Sequence, residues 1–380
     1  MNGLDSKFKE KIVKDLPFSN LTTLKIGGPI KYFFEAKTED ELIEAVKFAQ
    51  KNSLPYLVIG GGSNLLVSDK GYDGLVIKNS ITGIARGDSE ERSWRVPAAI
   101  RQRPESEDTR RETELAGPGA ILKVKGGTVL QDLVDYSIKN GLSGLQKMTG
   151  IPGTIAGAVY GNAGAYGQTI SDHIVKVTIL KPTTGSSFNL IGGSSQIDSR
   201  WSLPRTSIRD GNDNTEIKTL TKDACGFDYR HSSFKENKSI ILEVIFELEQ
   251  GNPKTLKKES EEILEKRLVK YPKGIKCPGS FFMNIVTENL PKDVLEKIPQ
   301  NMIMYGKIPA GALLEEVGAK GDSIDGIEIA PYHANLFVNK GGGKAEDFYN
   351  LAKKYFQKVK EKFGITLEPE VQLINLPALN

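Results

Sequence analysis

The sequence predicts an α/β protein of more than one domain, and three observations carry that prediction. Its 380 residues exceed what one core of about 100–200 residues organises. An amphipathic helical stretch at 38–52 is followed at once by a buried apolar run at 54–59, which ends in consecutive glycines. The same alternation recurs further along, with helical periodicity at 129–140 and 345–363 and strand-like runs at 174–180 and 240–248.

Taken in order, the first helix carries a capping-box pair, Thr38 and Glu41, and shows Leu42, Ala45, Val46 and Ala49 on one face. Leu54-Pro55-Tyr56-Leu57-Val58-Ile59 follows as a buried strand, and Leu75-Val76-Ile77 as a second short one. The helix at 129–140 has Gly141 as its stop. Residues 250–253 are expected to form a linker, and 256–269 a charged helix. The helix at 345–363 aligns Phe348, Leu351, Ala352, Tyr355, Phe356 and Val359, with Gly364 as its cap, and 370–374 is the final strand. No internal repeat is present.

Composition removes several classes of function. Hydrophobic content of 38% and charged content of 26% are ordinary for a globular protein, and a net charge of +3 gives no general attraction to nucleic acid or membrane. Cys225 and Cys277 cannot build a disulfide framework and lack metal-ligand spacing, so reduced thiols and no metal are expected. The first residues have no apolar core of a signal peptide, and no run of 18 apolar residues occurs, so a cytoplasmic protein is expected. A monomer is expected. Arginine is distributed unevenly: segments 82–118 and 184–215 hold ten of the twelve arginines, both tryptophans and no lysine. Arg230 and Arg267 are the other two. The segments therefore read as insertions into a lysine-rich body, with the low hydrophobicity of loops or partly disordered chain. Their acidic residues balance the arginines, so neither is a nucleic-acid patch.

Two small-residue regions stand out. Gly60-Gly61-Gly62-Ser63-Asn64 follows a buried strand, where glycines allow positive φ and close backbone approach and successive N–H groups can face a phosphate. It is neither a GxGxxG fingerprint nor a P-loop. The second region contains Gly150, Gly153, Thr154 and Gly157, then Asn162, Gly164 and Tyr166. Together they suit a long dinucleotide in a groove; close helix–strand packing would need the same small residues.

Seven motifs in order carry a resemblance. They are Leu24-Lys25-Ile26-Gly27-Gly28; Gly60 to Asn64 with Leu65-Leu66; Gly150-Ile151-Pro152-Gly153-Thr154 with Asn162-Ala163-Gly164-Ala165-Tyr166-Gly167; Cys225-Gly226-Phe227-Asp228-Tyr229-Arg230; Gly279-Ser280-Phe281-Phe282; His333-Ala334-Asn335; and Leu367-Glu368-Pro369-Glu370. The series resembles the UDP-N-acetylenolpyruvoylglucosamine reductase family over nearly the whole chain outside the insertions, in the shorter form that lacks a tyrosine-bearing loop. The resemblance implies a two-domain FAD-binding clasp of the PCMH type and a third, α+β substrate-binding domain. It places the first FAD-binding subdomain at 1–76 with the C-terminal strand 367–380, the second at 77–250, and the substrate domain at 251–366.

The same resemblance implies FAD as cofactor, NADPH as hydride donor and UDP-N-acetylglucosamine enolpyruvate as substrate, in peptidoglycan precursor synthesis. Gly60 to Asn64, Gly150, Gly153, Thr154, Gly157, Asn162, Gly164 and Tyr166 would contact the cofactor. Arg230 and Glu370 would stabilise the developing enolate and Ser280 would donate the proton. Tyr229, Lys270, Asn284 and His333 would contact the substrate. The residues themselves support parts of this. A guanidinium holds a carboxylate in two parallel bonds, and an arginine in a body that otherwise uses lysine suggests that the fork is required. Pro278-Gly279 has type II turn chemistry that would fix the Ser280 hydroxyl. Pro369 would extend the chain so that Glu368 and Glu370 share one strand face. Two alternatives stay open: another oxidoreductase with the same FAD clasp, and a non-catalytic homologue inactivated by its insertions.

Overall fold

The computed structural model describes residues 10–87, 119–182 and 215–379, so most of both arginine-rich segments lies outside the described residues. The first unit is built from β1 (Val13–Pro17), β2 (Pro29–Ala36), α1 (Glu39–Lys51), β3 (Tyr56–Ile59), β4 (Leu65–Val67) and β5 (Tyr72–Asn79). Four strands form a sheet in the order β1-β2-β5-β3, with β5 parallel to both neighbours and β1 antiparallel to β2. The capping box at the start of α1 is present: the Glu41 amide donates to Thr38 Oγ1 at 3.2 Å, and Glu41 Oε2 accepts from the Thr38 amide at 3.3 Å. Leu42, Ala45, Val46 and Ala49 are buried against Phe34, Tyr56, Leu75 and Ile77, the core that fixes β3 and hence the glycine loop behind it.

The second unit comprises β6 (Ile84–Arg86), β7 (Ala120–Lys125), α2 (Leu130–Lys139), α3 (Ile155–Tyr160), β8 (Ile174–Pro182), β9 (Thr215–Thr221) and β10 (Ile240–Gln250). Its antiparallel sheet runs β9-β8-β10-β7-β6. The expected boundary after residue 76 falls inside β5, whose ladder continues to Asn79. The first insertion was expected to begin at residue 82, but β6 lies within its start and pairs with β7; Thr215, expected to close the second, is the first residue of β9. The chain leaves the sheet at hairpin-like positions, because the Gly87 amide donates to Ile121 O at 2.8 Å and Pro182 stands opposite Thr215. The two exits are at opposite ends of the sheet: Ala120 faces Leu248 of β10, whereas Leu180 faces Ile240.

The third unit begins with α4 (Pro253–Lys270) and continues with α5 (Ala310–Glu316), β11 (Ser323–Ile324), β12 (Ile327–Ile329), β13 (Phe337–Asn339) and α6 (Ala345–Phe363), before β14 (Gln372–Ile374). Residues 250–253 are not a linker: β10 reaches Gln250, Asn252 caps α4 through its side chain, and Pro253 occupies the first turn, where its missing N–H costs nothing. The apolar face of α6 packs Phe348 against Phe281 and Phe337, with ring centroids 5.1 and 5.2 Å apart. The chain then returns to the first unit, where β14 pairs in parallel with β4, Gln372 opposite Leu65. This strand starts two residues later than expected, because Pro369 bridges Phe282 and the Glu370 amide donates to Phe281 O at 2.7 Å. Glu368 is exposed and Glu370 is half-buried.

Candidate active site

A cavity of about 500 Å³, in the size range of ligand sites, opens where all three units meet. Its floor is the contact between the two glycine regions. A Cβ on Gly60 would come within 2.2 Å of Thr154 Oγ1, and one on Gly61 within 3.0 Å of Gly153 Cα. Gly62 has φ +63°, and a Cβ there would lie 2.0 Å from Leu21 O. Ser63 Oγ donates to Pro152 O at 3.1 Å, stitching one loop to the other. Asn64 fixes the loop to the C-terminal segment: its side chain donates to Glu370 O at 2.9 Å, and its carbonyl accepts from the Gln372 amide at 3.0 Å. The glycines thus serve close packing and also wall the cavity.

Gly60 to Asn64, Gly150, Gly153, Thr154, Gly157 and Gly164 line this space. Asn162 and Tyr166 do not. Asn162 is buried and structural, donating to Asp228 O at 2.8 Å and accepting from the Ser171 amide at 3.4 Å. It ties the second glycine region to the loop that bears Arg230. Tyr166 is 46% exposed, on a backbone with φ +52°.

Arg230, Ser280 and Glu370 come from separate segments and line the same cavity. Arg230 Nε lies 2.7 Å from Glu370 Oε1, an ion pair in which that N–H makes no aligned hydrogen bond, while Nη2 donates to Gly164 O at 2.9 Å. Arg230 has φ +54°, a costly conformation for a non-glycine residue, and Lys235 Nζ donates to its carbonyl at 2.7 Å. Burial pushes the Glu370 carboxyl upward against the pull of Arg230 and Lys235. Gly279 adopts φ +92°, as a type II turn requires, and delivers Ser280 into the cavity. Ser280 Oγ accepts from Lys270 Nζ at 3.3 Å and lies 3.4 Å from the Tyr271 hydroxyl.

Tyr229, Lys270, Asn284 and His333, the expected substrate contacts, do not line this cavity; Tyr229 and Asn284 meet each other, where the Asn284 amide donates to the Tyr229 hydroxyl at 3.3 Å and Asn284 Oδ1 accepts from the Ala310 amide at 3.2 Å. His333 closes a turn: its Nδ1 accepts from the Asn335 amide at 3.2 Å. Burial, with Lys270 adding to it, holds His333 down at about 4, so the ring is neutral at neutral pH.

Sequence reading missed five groups. Lys235, Lys238, Arg267 and Tyr271 line the cavity, and Lys307 places its Nζ 3.5 Å from the centre of the Tyr229 ring. Burial lowers Lys235, Lys238, Arg267 and Lys307 alike. Arg267 carried a signal, as the other arginine of the lysine-rich body; the lysines carried none in a body so rich in them. Among the described residues no group of three metal-ligating side chains occurs, and no helix is long and apolar enough to cross a membrane.

The cavity fits a dinucleotide. It is floored by glycines that approach backbone to backbone, bordered by apolar Leu57, Val58 and Ile240, and ringed by Arg267, Lys235 and Lys238. Fold and site define the class: residues 30–104 and 108–190 match the family described as FAD binding domain, so this is a flavoprotein of the two-domain clasp kind. Residues 271–374 match the C-terminal domain of UDP-N-acetylenolpyruvoylglucosamine reductase. Proteins of that name from Solibacter usitatus and Carboxydothermus hydrogenoformans are similar throughout. The first is 33% identical over 94% of this chain and 95% of its own length, and the second 29% identical over 98% and 96%. The crystal structure of the reductase from Thermus caldophilus has the same fold, with a TM-score of 0.61 over 94% of this chain and 97% of that one at 24% identity. The chain belongs to the UDP-N-acetylenolpyruvoylglucosamine reductase family.

Proposed function

We propose that this protein reduces UDP-N-acetylglucosamine enolpyruvate to UDP-N-acetylmuramate at the expense of NADPH, a step of peptidoglycan precursor synthesis. The observation that carries this reading is the convergence of Arg230, Glu370 and Ser280 on one cavity beside two glycine regions. Gly60 to Asn64, Gly150, Gly153 and Thr154 would hold FAD, which when bound supplies hydride transfer from NADPH to the enolpyruvyl group.

The chain's own residues supply the rest. Arg230 turns a fixed cation towards the substrate carboxylate, where negative charge grows. Glu370, paired with Arg230 at 2.7 Å and with its carboxyl pushed upward by burial, holds the guanidinium towards that carboxylate. Ser280 gives its hydroxyl proton to the carbon beside the carboxylate, and Lys270 polarises that oxygen. Lys270 also faces the diphosphate. Tyr229, Asn284 and His333 border the sugar nucleotide, with His333 present as the neutral ring.

Incubation with the enolpyruvyl sugar nucleotide and NADPH should give, by mass spectrometry, a product two hydrogens heavier, with one NADPH consumed for each. NADPH consumption without that product would reject the assignment.

A further inference from the structure

We propose that Tyr271 passes a proton to Ser280 as Ser280 gives its own to the substrate. It is a positioning residue that acts only through the serine. This rests on the reading of Ser280 above.

The geometry begins at the end of α4. Pro272 cannot continue the helix, and Tyr271, whose amide still donates to Arg267 O at 2.7 Å, is turned out of it. Arg267 and Lys270, from the last turn, stand over the Tyr271 ring, 5.3 and 5.1 Å from its centroid. The hydroxyl reaches 3.4 Å from Ser280 Oγ, the oxygen that accepts from Lys270 Nζ at 3.3 Å. Both contacts are long for hydrogen bonds, as is common at catalytic sites before substrate binds.

A serine oxygen has two lone pairs and one hydrogen. With the ammonium donating to one lone pair and the phenol to the other, the serine hydrogen is left to point into the cavity. When the Ser280 O–H bond breaks and the new C–H bond forms, the alkoxide takes the phenolic hydrogen of Tyr271. The phenolate regains a proton from water at the cavity mouth, so no further reagent is needed. The surroundings favour that transient charge: two cations face the ring, and Arg267 is desolvated, with a buried Nε that has no hydrogen-bond partner among the described residues.

The test uses the full-length, FAD-loaded protein and Tyr271→Phe, which keeps the ring and both cation contacts. Flavin content, reduction by NADPH and the Kd of the enolpyruvyl sugar nucleotide for the oxidised protein should stay within twofold of wild type. Single-turnover reoxidation by that substrate should slow ~10-fold or more, the scale of an assisted proton transfer. The proton inventory in mixed light and heavy water should change from bowed, two protons in flight, to linear. A wild-type rate and inventory in Tyr271→Phe would overturn the proposal, as would a loss confined to Kd. Wild-type enzyme that the substrate fails to reoxidise removes the functional reading itself, and the relay with it.

Discussion

Arg230 shows how much of a site one residue can concentrate. It occupies a left-handed backbone position, pairs with Glu370 and binds the Gly164 carbonyl, so both its fork and its backbone are specified. Arg230→Lys keeps the charge but loses the second nitrogen, and kcat/KM should fall by about 10²–10³, the scale of losing one preorganised donor to developing charge. Steady-state kinetics checks this, and flavin content should not change. Ser280→Ala should still be reduced by NADPH but recover its colour with the sugar nucleotide ~10²-fold more slowly or worse. His333 gives a pH signature. Its folded value, near 4, is below its unfolded one, so the unfolded chain binds the proton first and stability is lost as pH falls from about 6.5 towards 4. Melting temperatures across that window should fall less steeply for His333→Gln than for wild type. At this scale the sequence was informative where residue type is restrictive. Arg230 and Gly279 announce a fork and a turn. Lys235, Lys238 and Lys307 went unseen because nothing separates a buried lysine from a solvated one before the fold is known.

The elements divide in the same way. Helices with an apolar face repeated over three turns or more were legible, and α6 has the expected bounds. Thr38→Ala removes the α1 capping box and should cost about 1 kcal/mol in urea denaturation with unchanged flavin affinity. The strands of the third unit were not legible, since β11, β12 and β13 have two or three residues each, too few for alternation to show. The start of α4 was misplaced because Pro253 was assigned to a linker, although proline is favoured in a first turn. Glu370 was placed on a regular strand, whereas bridges to Phe281 and Phe282 aim it into the cavity; that pairing lies far away in sequence.

At the scale of the molecule, the clasp depends on glycines of unequal tolerance. A methyl at Gly60 meets the Thr154 side-chain oxygen that caps α3, whereas one at Gly62 meets the Leu21 backbone and a left-handed φ. Gly62→Ala should therefore lower stability and flavin retention more than Gly60→Ala, as read by thermal melting and bound-flavin absorbance. The register at Gly87–Ile121 and Pro182–Thr215 means that each arginine-rich segment joins strands that are neighbours in the sheet. Replacing 88–118 and 183–214 with short glycine-containing turns should leave flavin content and turnover unchanged. A loss would assign the segments a part in the site.

The central claim is that one cavity serves both halves of a flavin-mediated reduction. Anaerobic visible spectroscopy addresses it directly. The purified protein should be yellow, NADPH should bleach it, and UDP-N-acetylglucosamine enolpyruvate should restore the colour without oxygen. A bleached protein that stays colourless with the sugar nucleotide and recovers only in air would contradict the account.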